Sequence, residues 1–272
     1  MNQTKEKYLI ALDMDGTLLN KDHIISLETL NYLKKLNKDG HKIIISSGRP
    51  IRNIISFYNE LELTTPIICY NGAYIYPGKE INFPEYCFSF PQAKIKSIIQ
   101  DIGYDHLDNV ILETNKDIYL LKVDETLEVF FTKNNMNIHL GPIEENLNED
   151  TMTMLIKVKD EKDNHFVQEA VDKHPNIKLR FWSGKWLDIS EIYFSFINKG
   201  KALQKICEYF KVEPDHVISF GDASNDIEII KYAKYGFAMK NAEDDLKKHA
   251  KYITEFDNNE NGIIMELKKI GL

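Results

Sequence analysis

Two textures of apolar and polar positions alternate along the chain, and the first is set within its opening 70 residues. Tyr8 to Leu12 is an apolar run of strand length, stopped by Asp13 and Gly16. Ser26 can cap a helix bearing Leu27, Leu30, Leu33 and Leu36 on one face, and Gly40 ends it. His41 to Ile45 reads as a second, β-branched strand. Pro50 suits the first turn of a helix running towards Leu61, and Pro66 precedes a third strand, Ile67 to Tyr70. Strand, helix, strand, helix, strand predicts a parallel sheet with crossover helices.

The last third resumes that rhythm. Lys201 to Phe210 reads as a helix with Leu203, Ile206, Cys207 and Phe210 on one face. A buried strand over Val217 to Phe220, a helix over Asn225 to Lys234, a strand over Tyr235 to Met239 and a short helix over Asp244 to Ala250 follow. The two stretches, 1–82 and 193–272, predict one α/β domain with a doubly wound, Rossmann-like parallel sheet. Between them, over 83–192, strand-like runs (Val110 to Glu113, Ile118 to Val123, Met152 to Val158, Ile177 to Phe181) alternate with helices near 92–101, 126–136 and 162–173. Thr114-Asn115-Lys116-Asp117 reads as a hairpin turn, so this segment predicts an inserted α+β domain with an antiparallel sheet.

Composition narrows the partners. With 272 residues, 43% hydrophobic and 28% charged, the chain can bury a core. A net charge of −8 argues against a broad grip on nucleic acid, whose phosphates demand basic stripes. It leaves room for a small phosphorylated molecule, because charge in a pocket can oppose the global sign. Cys69, Cys87 and Cys207 are too few and too scattered for a disulfide framework or a zinc site, and read as free thiols in a reducing compartment. No apolar stretch reaches the roughly 20 residues that span a bilayer. The N-terminal run lacks the pattern of a signal peptide, so the expectation is a cytoplasmic protein without a membrane partner.

The chemistry gathers at strand ends, where ligands of open α/β sheets bind. Asp13-Met14-Asp15-Gly16-Thr17 closes the first strand; four fixed residues of this kind recur by chance about once in 10⁵ positions. A loop loosened at Gly16 lets both carboxylates face one cavity, the plain alternative being an acidic turn. The second strand ends in Ser46-Ser47-Gly48-Arg49, a hydroxyl and a close-approach glycine at a helix start, which suits a phosphate oxygen as well as an ordinary cap. Gly221-Asp222-Ala223-Ser224-Asn225-Asp226 ends another strand with two more acids and an amide. Either acid could merely cap the next helix. Four acids in one crevice need a cation, and hard oxygens select magnesium. Lys199, alone a surface residue, beside four acids can balance a nucleophile and hold a phosphoryl oxygen, with Lys201 solvated.

DMDGT, SSGR, NKGKAL and GDASND, in this order, resemble the four motifs of the haloacid dehalogenase superfamily. The 151 positions from Gly48 to Lys199 resemble the site of its large α/β cap, and with Asn71-Gly72-Ala73 after the third strand the pattern is similar to the Cof-type (type IIB) phosphatases. Asp222-Ala223-Ser224-Asn225 departs from relatives that carry Gly and Glu in the middle, at positions variable in the family. The resemblance implies Asp13 as nucleophile, forming an aspartyl-phosphate, and Asp15 as general acid. It implies magnesium held by Asp13, the backbone carbonyl of Asp15, Asp222 and Asp226. Met14 through its backbone, Ser47, Gly48, Lys199 and Asn225 are the implied phosphate ligands.

An inserted domain can exclude solvent and touch the leaving group. Trp182-Ser183-Gly184-Lys185-Trp186 is a candidate loop for this, with Arg180 and Lys185 beside an anionic or sugar moiety. A place for Phe181 and Trp186 in the core of that domain is the equal alternative. Asn71 could meet substrate or simply form an Asn-Gly turn. The leading expectation is a magnesium-dependent phosphatase of small phosphorylated metabolites. A phosphomutase with the same core, and a phosphoryl-accepting switch or binding module without turnover, stay open beside it.

Overall fold

In a computed structural model of the chain, which describes residues 6–80, 82–127, 136–182 and 187–272, the first apolar run is a strand, β1 (Leu9–Asp13), buried along its whole length. After it come α1 (Leu27–Lys38), β2 (Lys42–Ser46), α2 (Ile55–Glu60), β3 (Ile67–Cys69), β4 (Tyr74–Tyr76) and β5 (Tyr86–Cys87). The middle of the chain holds α3 (Gln92–Ile102), β6 (Leu107–Glu113), β7 (Asp117–Leu120), β8 (Asn137–Leu140), α4 (Ile143–Asn146), β9 (Thr153–Val158), α5 (Asn164–Asp172), β10 (Ile177–Phe181) and β11 (Ile189–Phe194). The last third holds α6 (Lys199–Phe210), β12 (Val217–Gly221), α7 (Ile227–Tyr232), β13 (Tyr235–Ala238), α8 (Asp244–His249), β14 (Tyr252–Ile253) and α9 (Gly262–Lys269). These elements group into two compact units, one from the chain up to Tyr86 together with Asn198–Leu272, the other Cys87–Ile197.

The first unit is built on one sheet in the order β14-β13-β12-β1-β2-β3-β4-β5. Its strands run parallel from β14 to β3, and β4 turns back antiparallel to β3. The chain winds outward in one direction from β1 through β2 and β3, and in the other from β12 through β13. The β1–β12 pair is therefore the switch point of a doubly wound sheet, and the crevice at its carboxyl ends is where such folds bind ligands. Asp13 closes β1 and Gly221 closes β12, so the acidic motifs flank that crevice.

The second unit has a sheet in the order β10-β11-β9-β6-β7-β8, antiparallel except for the β7–β8 edge pair. Side chains alternate across it with the strand period of two. Val110, Leu112, Met154 and Ile156 pack with Ile95, Ile98 and Ile99 of α3 and Val167 and Val171 of α5. Their neighbours Ile111, Leu155, Ile118 and Leu120 join Leu127 and Ile189 in a separate cluster, with Trp182 against it.

Some local expectations are corrected. Leu27 is 71% exposed, because nine residues from Leu36 is about two and a half helical turns, which turns it away from the buried face. The segment after Pro50 opens with a 3₁₀ turn, Ile51–Asn53, before α2, and a similar turn, Ser224–Asp226, precedes α7. The helix expected over 126–136 falls mostly on residues outside the described ones; Glu125–Leu127 is a 3₁₀ turn. Among the described residues no helix is long and apolar enough to cross a membrane.

Candidate active site

Asp13 reaches the crevice because β1 ends there and the chain breaks into an irregular turn over Met14–Leu18. Asp15 keeps an extended ψ of 122°, while Gly16 takes φ 76°, a left-handed value that favours glycine. Glycine is required at 16 for a second reason: a Cβ there would collide with the Asp222 carboxylate. Thr17 Oγ1 donates to Asp222 Oδ1 at 3.0 Å, which ties the turn after β1 to the loop after β12.

Three carboxylates come together at this point. Ligand oxygens of Asp13, Asp222 and Asp226 lie within 4.8 Å of one another. Asp226 is fully buried, accepts from the backbone N–H of Asp222 at 3.1 Å, and packs against Gly221, where a side chain would find no room. Lys199, wholly buried at the start of α6, donates to Asp13 Oδ1 at 2.5 Å and to Asp226 Oδ1 at 2.6 Å. Asn198 caps that helix by accepting from Lys201 N, and the left-handed Gly72 lets the turn after β3 approach the Asn198 carbonyl closely.

One lysine does not balance three acids. Burial, then the charge of Asp226, holds the Asp13 carboxyl well above its ordinary value, with Lys199 opposing. Burial and Asp226 likewise push Asp222 up to about 7. Burial alone would lower Lys199, but its pairing with Asp13 and Asp226 outweighs that and raises it. The site therefore carries more negative charge than its environment supports, and its donors are hard oxygens. A divalent cation fits both facts.

The other expected residues divide. Ser47, buried after β2, accepts from Arg49 N at 3.1 Å, and its own N–H donates to Ile68 O. Gly48 packs against the Asn71 side chain. Asn225 Nδ2 donates to Asn71 Oδ1 at 3.0 Å, and Asn225 Oδ1 is a buried acceptor without a partner among the described residues. Asn71 sits in a turn whose three residues, Tyr70, Asn71 and Gly72, all have positive φ (48°, 53° and 99°). The half-exposed Asp15 carboxylate is taken up by Arg49. Arg180 belongs to the other unit, on β10, where Nη1 donates to Glu191 Oε2 at 2.8 Å and the guanidinium lies over the Tyr193 ring. Phe181 is 44% exposed, so it is no core residue of that unit. Lys185 and Trp186 lie outside the described residues.

Sequence reasoning gave no role to Arg49, Asn241 or Glu243. Asn241 Nδ2 holds the Gly16 carbonyl at 2.8 Å, and Glu243 Oε2 accepts from Ser224 N at 2.9 Å. Both follow β13, one more parallel strand end, and the strand-end rule that singled out Asp13 and Asp222 points to them as well.

The family model described as haloacid dehalogenase-like hydrolase matches residues 10–267. The chain is 38% identical over 263 residues to 5-amino-6-(5-phospho-D-ribitylamino)uracil phosphatase YitU of Bacillus subtilis, covering 96% of this chain and 97% of that one. It is 28% identical over 261 residues to pyridoxal phosphate phosphatase YbhA of Escherichia coli, covering 90% and 92%. Among solved structures, a haloacid dehalogenase-like hydrolase from Bacteroides thetaiotaomicron superposes with a TM-score of 0.82 at 26% identity, covering 97% of this chain and all of that one. A subclass IIB sugar phosphatase of the same superfamily superposes at 0.79 with 25% identity, covering 98% and 99%. The chain belongs to the haloacid dehalogenase-like hydrolase family and is a phosphatase.

Proposed function

We propose that this phosphatase is a cytoplasmic, magnesium-dependent enzyme acting on small phosphorylated metabolites through an aspartyl-phosphate on Asp13. The substrate proposed first is the phosphorylated ribitylaminouracil for which the Bacillus subtilis relative is named. In this reading residues 1–82 and 193–272 carry the chemistry and 83–192 form an inserted cap. The observation that carries the reading is the buried Lys199 joined to both Asp13 and Asp226 beside Asp222. Phosphoryl transfer, here through Asp13 as nucleophile, is largely a matter of positioning and charge stabilisation, and this cluster offers both.

Asp13 attacks phosphorus while the bond to the leaving alcohol breaks, and Asp15 gives its proton to the departing oxygen. Asp15, now ionised, takes a proton from water as that water attacks the aspartyl-phosphate. Inorganic phosphate leaves and Asp13 is restored. Ser47, the backbone N–H groups of Met14 and Gly48, Lys199 and Asn225 hold the phosphoryl oxygens. Asp13, the Asp15 carbonyl and Asp222, with Asp226 in support, would hold magnesium, which would supply positive charge to keep Asp13 ionised and to offset the charge of the phosphoryl group.

Phosphate release across a panel tests the reading: the ribitylaminouracil phosphate, pyridoxal phosphate, hexose phosphates and p-nitrophenyl phosphate, each with magnesium. The expected result is release from several members, with the highest kcat/KM for the first. Release from none sinks the phosphatase mechanism, and isomerisation of a sugar phosphate without release returns the phosphomutase.

A further inference from the structure

We infer that Asn71 is a positioning residue, whose side-chain carbonyl fixes which end of the Asn225 amide is offered to a phosphoryl oxygen. This rests on the reading of Asn225 as a phosphate ligand. Asn225 Nδ2 donates to Asn71 Oδ1 at 3.0 Å, the one hydrogen bond of that side chain among the described residues. Asn225 Oδ1 is buried without a partner there, so nothing at the oxygen end decides how the amide lies. Nδ2 carries two hydrogens; Asn71 takes one and leaves one for a phosphoryl oxygen. Turned over, the amide would set Oδ1 against Asn71 Oδ1, acceptor against acceptor, and would offer a lone pair where phosphate needs a donor.

Asn71 can impose this because its own turn is held from several sides. The Asn71 N–H donates to Ser47 O at 3.1 Å, and the Tyr70 N–H donates to Arg49 O at 3.2 Å. The Asn71 amide lies against Gly48, where a Cβ would come within 3.1 Å of its Oδ1. On the far side, Gly72 packs so closely on the Asn198 carbonyl that a Cβ would collide with it. The turn therefore touches the end of β2 and the start of α6, and through Asn225 it reaches the loop after β12. Tyr70 and Asn71 are both left-handed, at φ 48° and 53°. For an aromatic residue that is an outlier, and the contacts around it must supply the free energy that keeps it. A plain Asn-Gly turn between β3 and β4 has no use for a bond to a side chain 154 positions away. Asparagine combines an amide oxygen with tolerance of positive φ, which suits both demands of the position.

The test separates phosphate affinity from stability. Binding of inorganic phosphate to the magnesium-loaded enzyme is measured by calorimetry, beside thermal melts, for wild type, Asn225→Ala, Asn71→Gly, Asn71→Ala and the Asn71→Gly/Asn225→Ala double variant. Loss of a hydrogen bond to a charged ligand should weaken phosphate about 10- to 100-fold in Asn225→Ala. Loss of the bond that orients Asn225 should weaken it about 3- to 10-fold in Asn71→Gly. Relief of the left-handed strain offsets the extra chain entropy of glycine, so that variant should melt within about 3 °C of wild type. Asn71→Ala keeps the strain and should melt lower, yet its phosphate affinity should match that of Asn71→Gly within about 2-fold. The double variant should bind phosphate no more weakly than Asn225→Ala alone, since Asn71 acts through Asn225.

Wild-type affinity in Asn71→Gly, additive losses in the double variant, or a loss in Asn71→Ala that grows in step with its lower melt overturns the inference and leaves Asn71 a turn residue. Unchanged affinity in Asn225→Ala overturns the phosphate-ligand reading first, so the two failures are told apart. Should Asn71→Ala not fold, Asn71→Gly against the double variant decides the matter.

Discussion

Each unit of this protein has a lysine set among aspartates, and the two clusters behave in opposite ways. In the first unit Lys199 meets Asp13 and Asp226 with Asp222 alongside, and burial with mutual repulsion lifts Asp13 and Asp222 above ordinary carboxylates. In the second, Lys157 lies 2.7 Å from Asp124 and 3.2 Å from Asp108, and Lys122 lies 2.6 Å from Asp108. There burial raises the acids, but hydrogen bonds from the lysines outweigh it, and both Asp108 and Asp124 sit below their ordinary values. Two cations for two acids near solvent make a neutral, self-satisfied group. One cation for three acids in the interior leaves an excess of negative charge. The excess charge of the buried cluster marks it as the candidate functional site, in contrast to the balanced cluster around Lys157.

The largest effects should come from the unbalanced cluster. Asp13→Asn removes the nucleophile, and phosphate release should fall at least about 10³-fold while the circular dichroism spectrum stays native. Substantial residual release would remove Asp13 from the role. Lys199→Met takes away the one positive charge between two buried acids, which should cost about 3–5 kcal/mol in urea unfolding. A cost below about 1 kcal/mol would mean that the cluster already reaches water and is no different from the one around Lys157.

That contrast was partly legible in the chain itself. Acids recur at the parallel strand ends, so Asp13, Asp222 and Asp226 stood out, although Asp226 also accepts from the backbone N–H groups of Asp222 and Ala223, and so did the parallel order of β1, β2 and β3. Glycines gave finer detail: Gly16 is a turn in sequence, but only the fold shows that Asp222 occupies the place of its missing side chain. The partner of Asp15 was not legible, because Arg49 follows Ser47-Gly48 in a motif whose glycine and hydroxyl draw the attention, and an ion pair 34 residues apart leaves no periodic trace. Among elements, β8 escaped the pattern because Asn137, Ile138 and Leu140 are all exposed, leaving no alternation to detect. The balance of the cluster around Lys157 was illegible for a similar reason. Asp108, Lys122, Asp124 and Lys157 come from three separate stretches, and only the pairing of β6 with β7 and β9 brings them together.

Magnesium should separate the clusters next. A ligand that binds only the folded state stabilises it by about 2.7 kcal/mol at 100 times its Kd. Saturating magnesium should therefore raise the Tm of the wild type, and excess chelator should reverse the shift and stop turnover. The shift should vanish in Asp222→Asn and persist in Asp124→Asn. Full activity in chelator, or a shift that survives Asp222→Asn, would place the cation elsewhere.

The smallest and most discriminating effect is the response to acid. Asp222 is raised to about 7 when folded, so without metal the folded state binds more protons there than the unfolded one. Its contribution runs against stability at high pH and is relieved as pH falls through 7, so metal-free protein should gain stability between pH 8 and 5. Magnesium should flatten that gain. Asp108 and Asp124 are lowered when folded, so their contribution is present above the ordinary carboxylate value of 3.8 and is lost as pH falls below it. Lys157→Met should then cost about 1 kcal/mol at pH 7, as expected for a pair near the surface, and progressively less below pH 3.8. Urea unfolding of the variant and wild type at pH 3, 5 and 7 reads both limbs at once. If the cost of Lys157→Met were the same at all three values, the acids around it would not be its partners in the folded state, and the balance that distinguishes this cluster from the one around Lys199 would be lost.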